Sequence, residues 1–409
     1  MTSSQLRYGQ NGSLAIDLPP GVLVADCFGP EQVSPMDISE AVSAAVTHPL
    51  NFPPLSQATV PGDEVVLALE PGLPRSSELV AALVEHLCET GTSPERITVL
   101  RTHADVVAGA GDPRHLLPAN MAAVKLETHE PDQRGQLRYL AATEKGRPIY
   151  LSRALCDADL VVPIGCLRCD EAINYHGVYS GLYPVFSDTK TQQRYRHPQA
   201  VAAHTSIHAQ AQHEVETVGW LAGTQFVIQV LPGPDDSLLG IFAGDADTVM
   251  QQGRQRSNEV WCHSVPRRAS LVVGAIPGGV TQQTWDNLGR AVAAASRVVI
   301  EGGAIALCTE LAASPGPAVQ LLSGSEDLSS ALRRIDKERA ADSLPARALA
   351  EALEFSKVYL YSQLDSEMVE ELGIASIADP VEISRLARRH SSCLLLHDAQ
   401  YRTATPIED

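Results

Sequence analysis

The stretch NYHGVYSGLYPVFSDTK (174–190) sets a histidine and three tyrosines (175, 179 and 183) among glycines and serines, shortly after the apolar run DADLVVPIG. Three further stretches carry groups able to act on or hold a small molecule: EPGLPRSS with Arg75, RTHAD with His103, and AIPGG at 275–279. An imidazole exchanges protons near neutral pH, and a guanidinium grips an anion with a fork of donors. His197, His204, His208 and His213 follow within a short span, with His204 and His208 at i, i+4 on one helix face. That spacing can hold a metal, although no HExxH glutamate accompanies it and a solvated polar helix face is the plainer reading. CLRC at 166–169 is a single CxxC with no second pair for a structural zinc. The remaining cysteines are scattered, mostly in apolar runs, as buried free thiols are.

Short apolar runs alternate with helical patterns almost throughout. DEVVLALEP (63–71) precedes the helical SSELVAALVEHLCETG, with Ser76 or Ser77 as the expected N-cap and Gly91 beyond its end. ERITVLRTH (95–103), the helical PRHLLPANMAAV and the run KLETHEP continue the pattern, followed by RPIYLS and ADLVVPIG. A helix over HAQAQHEVETVGWLAG leads into the strands TQFVIQVLPG and LLGIFAG, then a helix and connector over 245–263. The alternation restarts at ASLVVGAIPGG (269–279), with a helix at 282–296, the run RVVIEGGAIALC, helices within 325–354, and strands at 357–361 and 392–397.

Strand–helix alternation predicts α/β architecture: two α/β domains with mainly parallel sheets and an interdomain cleft. The expected domains are 1–264 and 265–409, with the last ~15 residues a candidate to return to the first. In open α/β sheets, ligands bind where loops leave the carboxyl ends of strands. The loops carrying Arg75, His103, residues 166–184 and 275–279 all stand at such ends.

A net charge of −18 repels phosphate backbones and anionic membranes, so neither nucleic acid nor a membrane is an expected partner. No apolar run approaches bilayer length, and the N-terminus lacks a basic-then-apolar signal, so the expected location is the cytoplasm. A small anionic metabolite remains an expected ligand, held by local arginines.

Taken in order, GLPRSS, RTH, GVYSGLYP, GIFAGDADTVMQQG, IPGGVTQQTWDNLGRAV and VVIEGGAIALC resemble the loops of the nickel-dependent lactate racemase family over roughly residues 8–310. The resemblance implies a nickel pincer nucleotide tethered through a lysine, and racemisation or epimerisation of a small 2-hydroxy acid by hydride removal and return at the α-carbon. It assigns Arg75 and Arg290 to the substrate carboxylate or other anionic groups, with Tyr179 beside them. His103 and His176 become the acid/base pair, and Asn174, Ser180, Gly181 and His129 face the cofactor. His197, His204 and His208 fall where the family's metal-binding histidine lies. Two departures stand out. The tethering lysine falls on Pro184, and a loop glycine falls on Leu182, so the chain reads as a divergent member. Two other readings stay open. One is an inactive relative or a binding protein for a small anionic metabolite without nickel. The other is a different reaction on the same fold, with another metal among His197–His213 and Tyr179 or Tyr183 as substrate contact or acid.

Overall fold

The computed structural model describes residues 2–30, 36–143, 145–169, 176–202, 205–325 and 327–408. Two six-stranded sheets organise it. The first runs, edge to edge, Leu238–Asp245, Phe226–Pro232, Leu160–Cys166, Val65–Leu69, Ile97–Thr102 and Lys125–His129. All neighbours are parallel except the hairpin between Phe226–Pro232 and Leu238–Asp245. The second runs Ala375–Ser376, Lys357–Tyr361, Val299–Cys308, Ala269–Ala275, Cys393–Leu396 and Leu23–Cys27, parallel throughout. Strands such as VVLAL (65–69) and LVVPIGC (160–166) are apolar without alternation because helices cover both faces of a parallel sheet.

The chain's first residues lie with the second sheet. Leu23–Cys27 forms its edge, and the hairpin Thr2–Tyr8/Gly12–Leu18 buries Leu6, Leu14, Ile16 and Leu18 against Leu271, Val273 and Leu395. Near the chain end, Thr403–Glu408 pairs in parallel with Cys262–Arg267, the segment that connects the two sheets. The expected division at 264/265 falls inside that connecting strand.

Several local expectations shift for identifiable reasons. Residues 113–121 form two short 3-10 turns rather than a helix, because Pro113 and Pro118 each open a turn and interrupt any longer ladder. The helix Ser76–Glu89 is entered from Arg75 in a left-handed conformation, φ 53°, and not capped by a serine side chain. His103 is not the end of a strand. It opens the short helix His103–Val107, whose cap is Thr102 in a reciprocal capping box with Asp105. Among the described residues no helix is long and apolar enough to cross a membrane.

In each sheet the chain leaves the middle in both directions. Val65–Leu69 continues outward through Ile97–Thr102 on one side and meets Leu160–Cys166 on the other; Ala269–Ala275 sits likewise between Val299–Cys308 and Cys393–Leu396. The crevices at these two switch points are where open sheets bind ligands. Their loops meet. Gln282 donates to the Gly72 carbonyl, and the Asp235 amide donates to Asp398. The candidate site is therefore a seam between the carboxyl ends of two sheets.

Candidate functional site

At the first switch point, Glu70 follows Val65–Leu69 directly and Arg168 lies just beyond Leu160–Cys166. Arg168 Nε stands 3.9 Å from Glu70 Oε1, and the Cys166 amide donates to Glu70 Oε2 at 2.8 Å. Two glycines make room for this carboxylate. A Cβ on Gly165 would sit 2.7 Å from Glu70 Oε2, and one on Gly181 would sit 2.8 Å from Glu70 Cβ. Burial raises the Glu70 carboxyl above its ordinary value, against the opposing pull of Arg168. Beside it a cavity of about 20 Å³, room for one water, is lined by Glu70, Ser76, Ser77, Arg101 and Asp105.

From the second unit comes Arg290, on the helix Trp285–Ser296. Its guanidinium is half-buried, and Nη1 donates to Asn287 Oδ1 at 2.7 Å. Among the described residues that is its one hydrogen bond, and it has no ion-pair partner. Burial, then the nearby charge of Arg168, lowers its pKa to about 10, while Asp286 and Glu70 pull the other way. Two guanidiniums thus stand near the Glu70 carboxylate, with Asp286 also acting on Arg290.

Arg75 is engaged elsewhere. Its Nη2 donates to Glu78 Oε1 at 2.8 Å and its Nε to Glu78 Oε2, one turn into the following helix. It also lines an open groove of about 320 Å³ with Met36, Glu78 and Leu116. A second carboxylate that acts on it is Asp236, in the turn Pro234–Asp236 of the same unit, which burial pushes up to about 6. His103 is exposed and its Nδ1 lies 3.2 Å from Glu130 Oε1. Arg75 and His103 are joined through one loop: the Gly72 amide donates to Asp105 Oδ1, in the cap of His103's helix. Gly72, at φ 72°, adopts a conformation that favours glycine at this crossing.

His176 is placed differently from His103. It is 1% exposed, neither ring nitrogen has a hydrogen-bond partner among the described residues, and the ring lies 4.8 Å from that of His208 and 5.4 Å from that of Tyr195. Burial, helped by His208, lowers its pKa to about 3, so the ring is neutral at physiological pH. The two expected acid/base residues are not brought together by any direct contact. Ser180 turns inward, its Oγ accepting from the His176 amide. The Tyr179 ring lies against Gly219, where a Cβ would come within 2.6 Å, and its hydroxyl donates to the Thr224 carbonyl. Burial pushes that phenol up to about 12.

His129 is a packing residue where a cofactor contact was expected. Its Nε2 bonds the Ser187 carbonyl at 2.9 Å and its ring meets Phe186 edge-on, so it anchors the chain leaving the 176–186 loop. Of the expected metal ligands, His197 uses Nδ1 to cap the turn Pro198–Val201, and His208 Nδ1 bonds the Ala200 carbonyl. Asn174 and His204 lie outside the described residues. Among the described residues no group of three His, Cys, Asp or Glu side chains could hold a metal ion.

The loop after YSG belongs to the core. Leu182 is fully buried with Val66, Leu100, Leu155, Val161 and Phe186; Tyr183 is fully buried with Leu151, Tyr195, Val215 and Val218. The Tyr183 hydroxyl donates to Glu214 Oε1 at 2.7 Å and accepts from Arg194, which also forks onto Glu214. A lysine-tethered nickel pincer nucleotide does not fit these residues. Pro184 has no amine, its neighbours are packed, and Lys190 is exposed on the next helix with its amide spent on Asp188.

Two α/β units whose switch-point loops meet, with Arg168 and Arg290 beside Glu70, give the chain its general outline. Residues 8–207 match the model of the lactate racemase N-terminal domain. By that match, residues 8–207 resemble the N-terminal domain of the lactate racemase family. In fold it resembles the lactate racemase apoprotein of Thermoanaerobacterium thermosaccharolyticum, with a TM-score of 0.78 at 15% identity, covering 98% of this chain and 100% of that one. A protein from Thermotoga maritima is also similar, with a TM-score of 0.66 at 12% identity over 93% of this chain and 100% of that one. No curated protein sequence matches the chain.

Glu70, Arg168, Gln282 and Asn287 were not legible as site residues from sequence. The available signal was positional: Glu70 is the first charged residue after the apolar strand VVLAL, and Arg168 is a charge between two buried cysteines.

Proposed function

We propose that the seam binds a small 2-hydroxy acid through its carboxylate, with Arg290 as the principal anchor. One observation carries the reading: a half-buried guanidinium with, among the described residues, a single hydrogen bond and no ion pair, beside a second guanidinium. An incoming carboxylate would supply the missing acceptors and offset the repulsion between Arg290 and Arg168. A neutral ligand could supply acceptors but would not offset the repulsion.

Racemisation of that acid is the second reading, favoured by the family resemblance and by His176. A neutral imidazole with both nitrogens free of other partners can accept a hydroxyl proton, although a pKa near 3 makes it a weak base. Because a lysine-tethered cofactor does not fit, no hydride step is assigned to this chain, and binding is the primary reading.

Titration calorimetry with D- and L-lactate and longer 2-hydroxy acids tests the reading, alongside Arg290→Gln. The expected result is saturable binding that Arg290→Gln weakens by about tenfold or more, the scale of a hydrogen bond to a charged group. Equal affinity in the variant, or no binding by the wild-type chain, refutes it. Interconversion of D- and L-lactate, followed by chiral chromatography, would establish the racemase reading in addition.

A further inference from the structure

Gln282 lies at the crossing between the two walls of the seam, and nothing in the family resemblance gives it a role. It is fully buried at the end of the turn that follows IPGG. Its side-chain amide serves both units at once. Nε2 donates to the Gly72 carbonyl at 3.3 Å, while Oε1 accepts from the Tyr401 hydroxyl at 2.8 Å and from Asn287 Nδ2 at 3.1 Å. Asn287 Nδ2 also donates to the Gln282 carbonyl at 2.8 Å. The space around it is closed: a Cβ on Gly278 would approach Gln282 Cγ to 2.8 Å.

Two of these partners, Asn287 and Gly72, lead to a candidate ligand-binding or acid/base group. Asn287 Oδ1 accepts from Arg290 and fixes one edge of its guanidinium. Gly72 stands three residues before Arg75, and its amide donates to Asp105 Oδ1 at 3.1 Å. Asp105 Oδ2 in turn accepts from the Thr102 hydroxyl and amide, closing the cap of the helix that begins at His103. One continuous chain of hydrogen bonds therefore runs Arg290–Asn287–Gln282–Gly72–Asp105–Thr102, crossing from the second unit to the first at a single side chain.

We infer that Gln282 is a positioning residue that couples Arg290 on one wall to the loops of Arg75 and His103 on the other, so that an anion seated on Arg290 is felt across the seam. The inference rests on the proposed binding role of Arg290 only for its ligand-dependent part. The residue type follows from the geometry. The position needs a donor toward Gly72 and an acceptor toward Tyr401 and Asn287, at glutamine's reach and without net charge, and the side-chain amide supplies both.

Amide hydrogen exchange on the full chain tests this. Gln282→Met keeps the volume and removes both functions; Asn287→Ala cuts only the arm to Arg290 and its return bonds. In Gln282→Met, exchange within residues 72–77 and 102–108 is expected to rise about fivefold or more, the scale of one lost hydrogen bond in local opening. Peptides from the outer edge strand Leu238–Asp245 should not change, which a general loss of stability would not allow. Asn287→Ala should produce a smaller rise at 72–77 and weaken lactate binding. If Gln282→Met does not fold, the Asn287→Ala result and the wild-type response decide: added lactate should slow exchange at 72–77 and 102–108. Unchanged exchange at 72–77 in every folded variant overturns the coupling. A wild-type chain that binds no lactate while Gln282→Met still loosens both loops overturns the binding proposal and leaves the coupling standing.

Discussion

Leu182→Ala is the sharpest test of whether the 176–186 loop is core or cofactor cradle. Leu182 is 0% exposed, and its described neighbours are themselves rigid: Val66, Ala68 and Val161 lie on adjacent strands of the first sheet and Leu100 on a third. Strand residues held by ladders on both sides cannot close over a missing isobutyl group, so the cavity persists. Leucine-to-alanine changes cost about 2–5 kcal/mol, rising with the residual cavity, and this site belongs in the upper half of that range. With a urea dependence of about 2 kcal/mol per molar, a loss of about 4 kcal/mol moves the midpoint of the first unit's transition down by about 2 M. Lys190→Ala, on an exposed side chain, should stay within about 0.5 kcal/mol. The assay is urea unfolding followed by fluorescence, with the slope compared between variants. A loss below about 1 kcal/mol at unchanged slope would refute the reasoning, since the loop would then be packed too loosely to exclude a cofactor.

Three further outcomes follow from the site. His176 has its folded pKa lowered to about 3, so the unfolded chain binds this proton first; its contribution is complete above about pH 6.5 and declines as pH falls toward 3. From pH 6.5 to 5, urea unfolding should lose about 2 kcal/mol through this group, and His176→Gln should flatten that slope. Tyr183→Phe removes the hydroxyl shared by Glu214 and Arg194 and should cost about 1–3 kcal/mol by the same assay. Burial works to raise Glu214, but the Arg194 and Tyr183 hydrogen bonds outweigh it and lower its pKa, so its support is present above about pH 4.3 and lost as pH falls through the lowered value. Finally, burial pushes the thiols of Cys27 and Cys166 up to about 11 and of Cys308 and Cys393 up to about 12. A thiol reagent at pH 8 should leave these four unmodified in the folded chain while all eight react in denaturant, as counted by absorbance.

The α/β class was legible because its signal is local. Runs such as VVLAL and LVVPIGC have the length and β-branched content of buried parallel strands, and the strands and main helices fall where the alternation put them. The ordered loops also led to the family. What escaped the sequence depends on partners far away in the chain. Leu23–Cys27 joins the second sheet through Cys393–Leu396, a pairing no local pattern reports. His129 and His176 stood out as chemistry-bearing residues, yet one anchors a backbone carbonyl and the other is enclosed by rings. An imidazole at a strand end looks the same in sequence whether it faces a substrate or Phe186.

The divergence at residues 182–184 and the cationic pair at the seam fit one physical account. A loop with a glycine and a lysine keeps its backbone open and its charge available; one with Leu182 and Tyr183 trades both for buried apolar area and a closed network with Arg194 and Glu214. That exchange fixes Gly181 against Glu70, and through Glu70 it fixes Arg168. Arg168 and Arg290 then both act on Glu70 and repel each other, a charge arrangement that an added anion relieves. Removing the carboxylate strengthens that preference in a measurable way. Glu70→Gln should tighten lactate binding, because the amide no longer neutralises either guanidinium, at a cost in stability from leaving Arg168 less compensated. If Glu70→Gln instead weakens binding, Glu70 orients the arginines more than it competes with the ligand, and the electrostatic account of the seam fails.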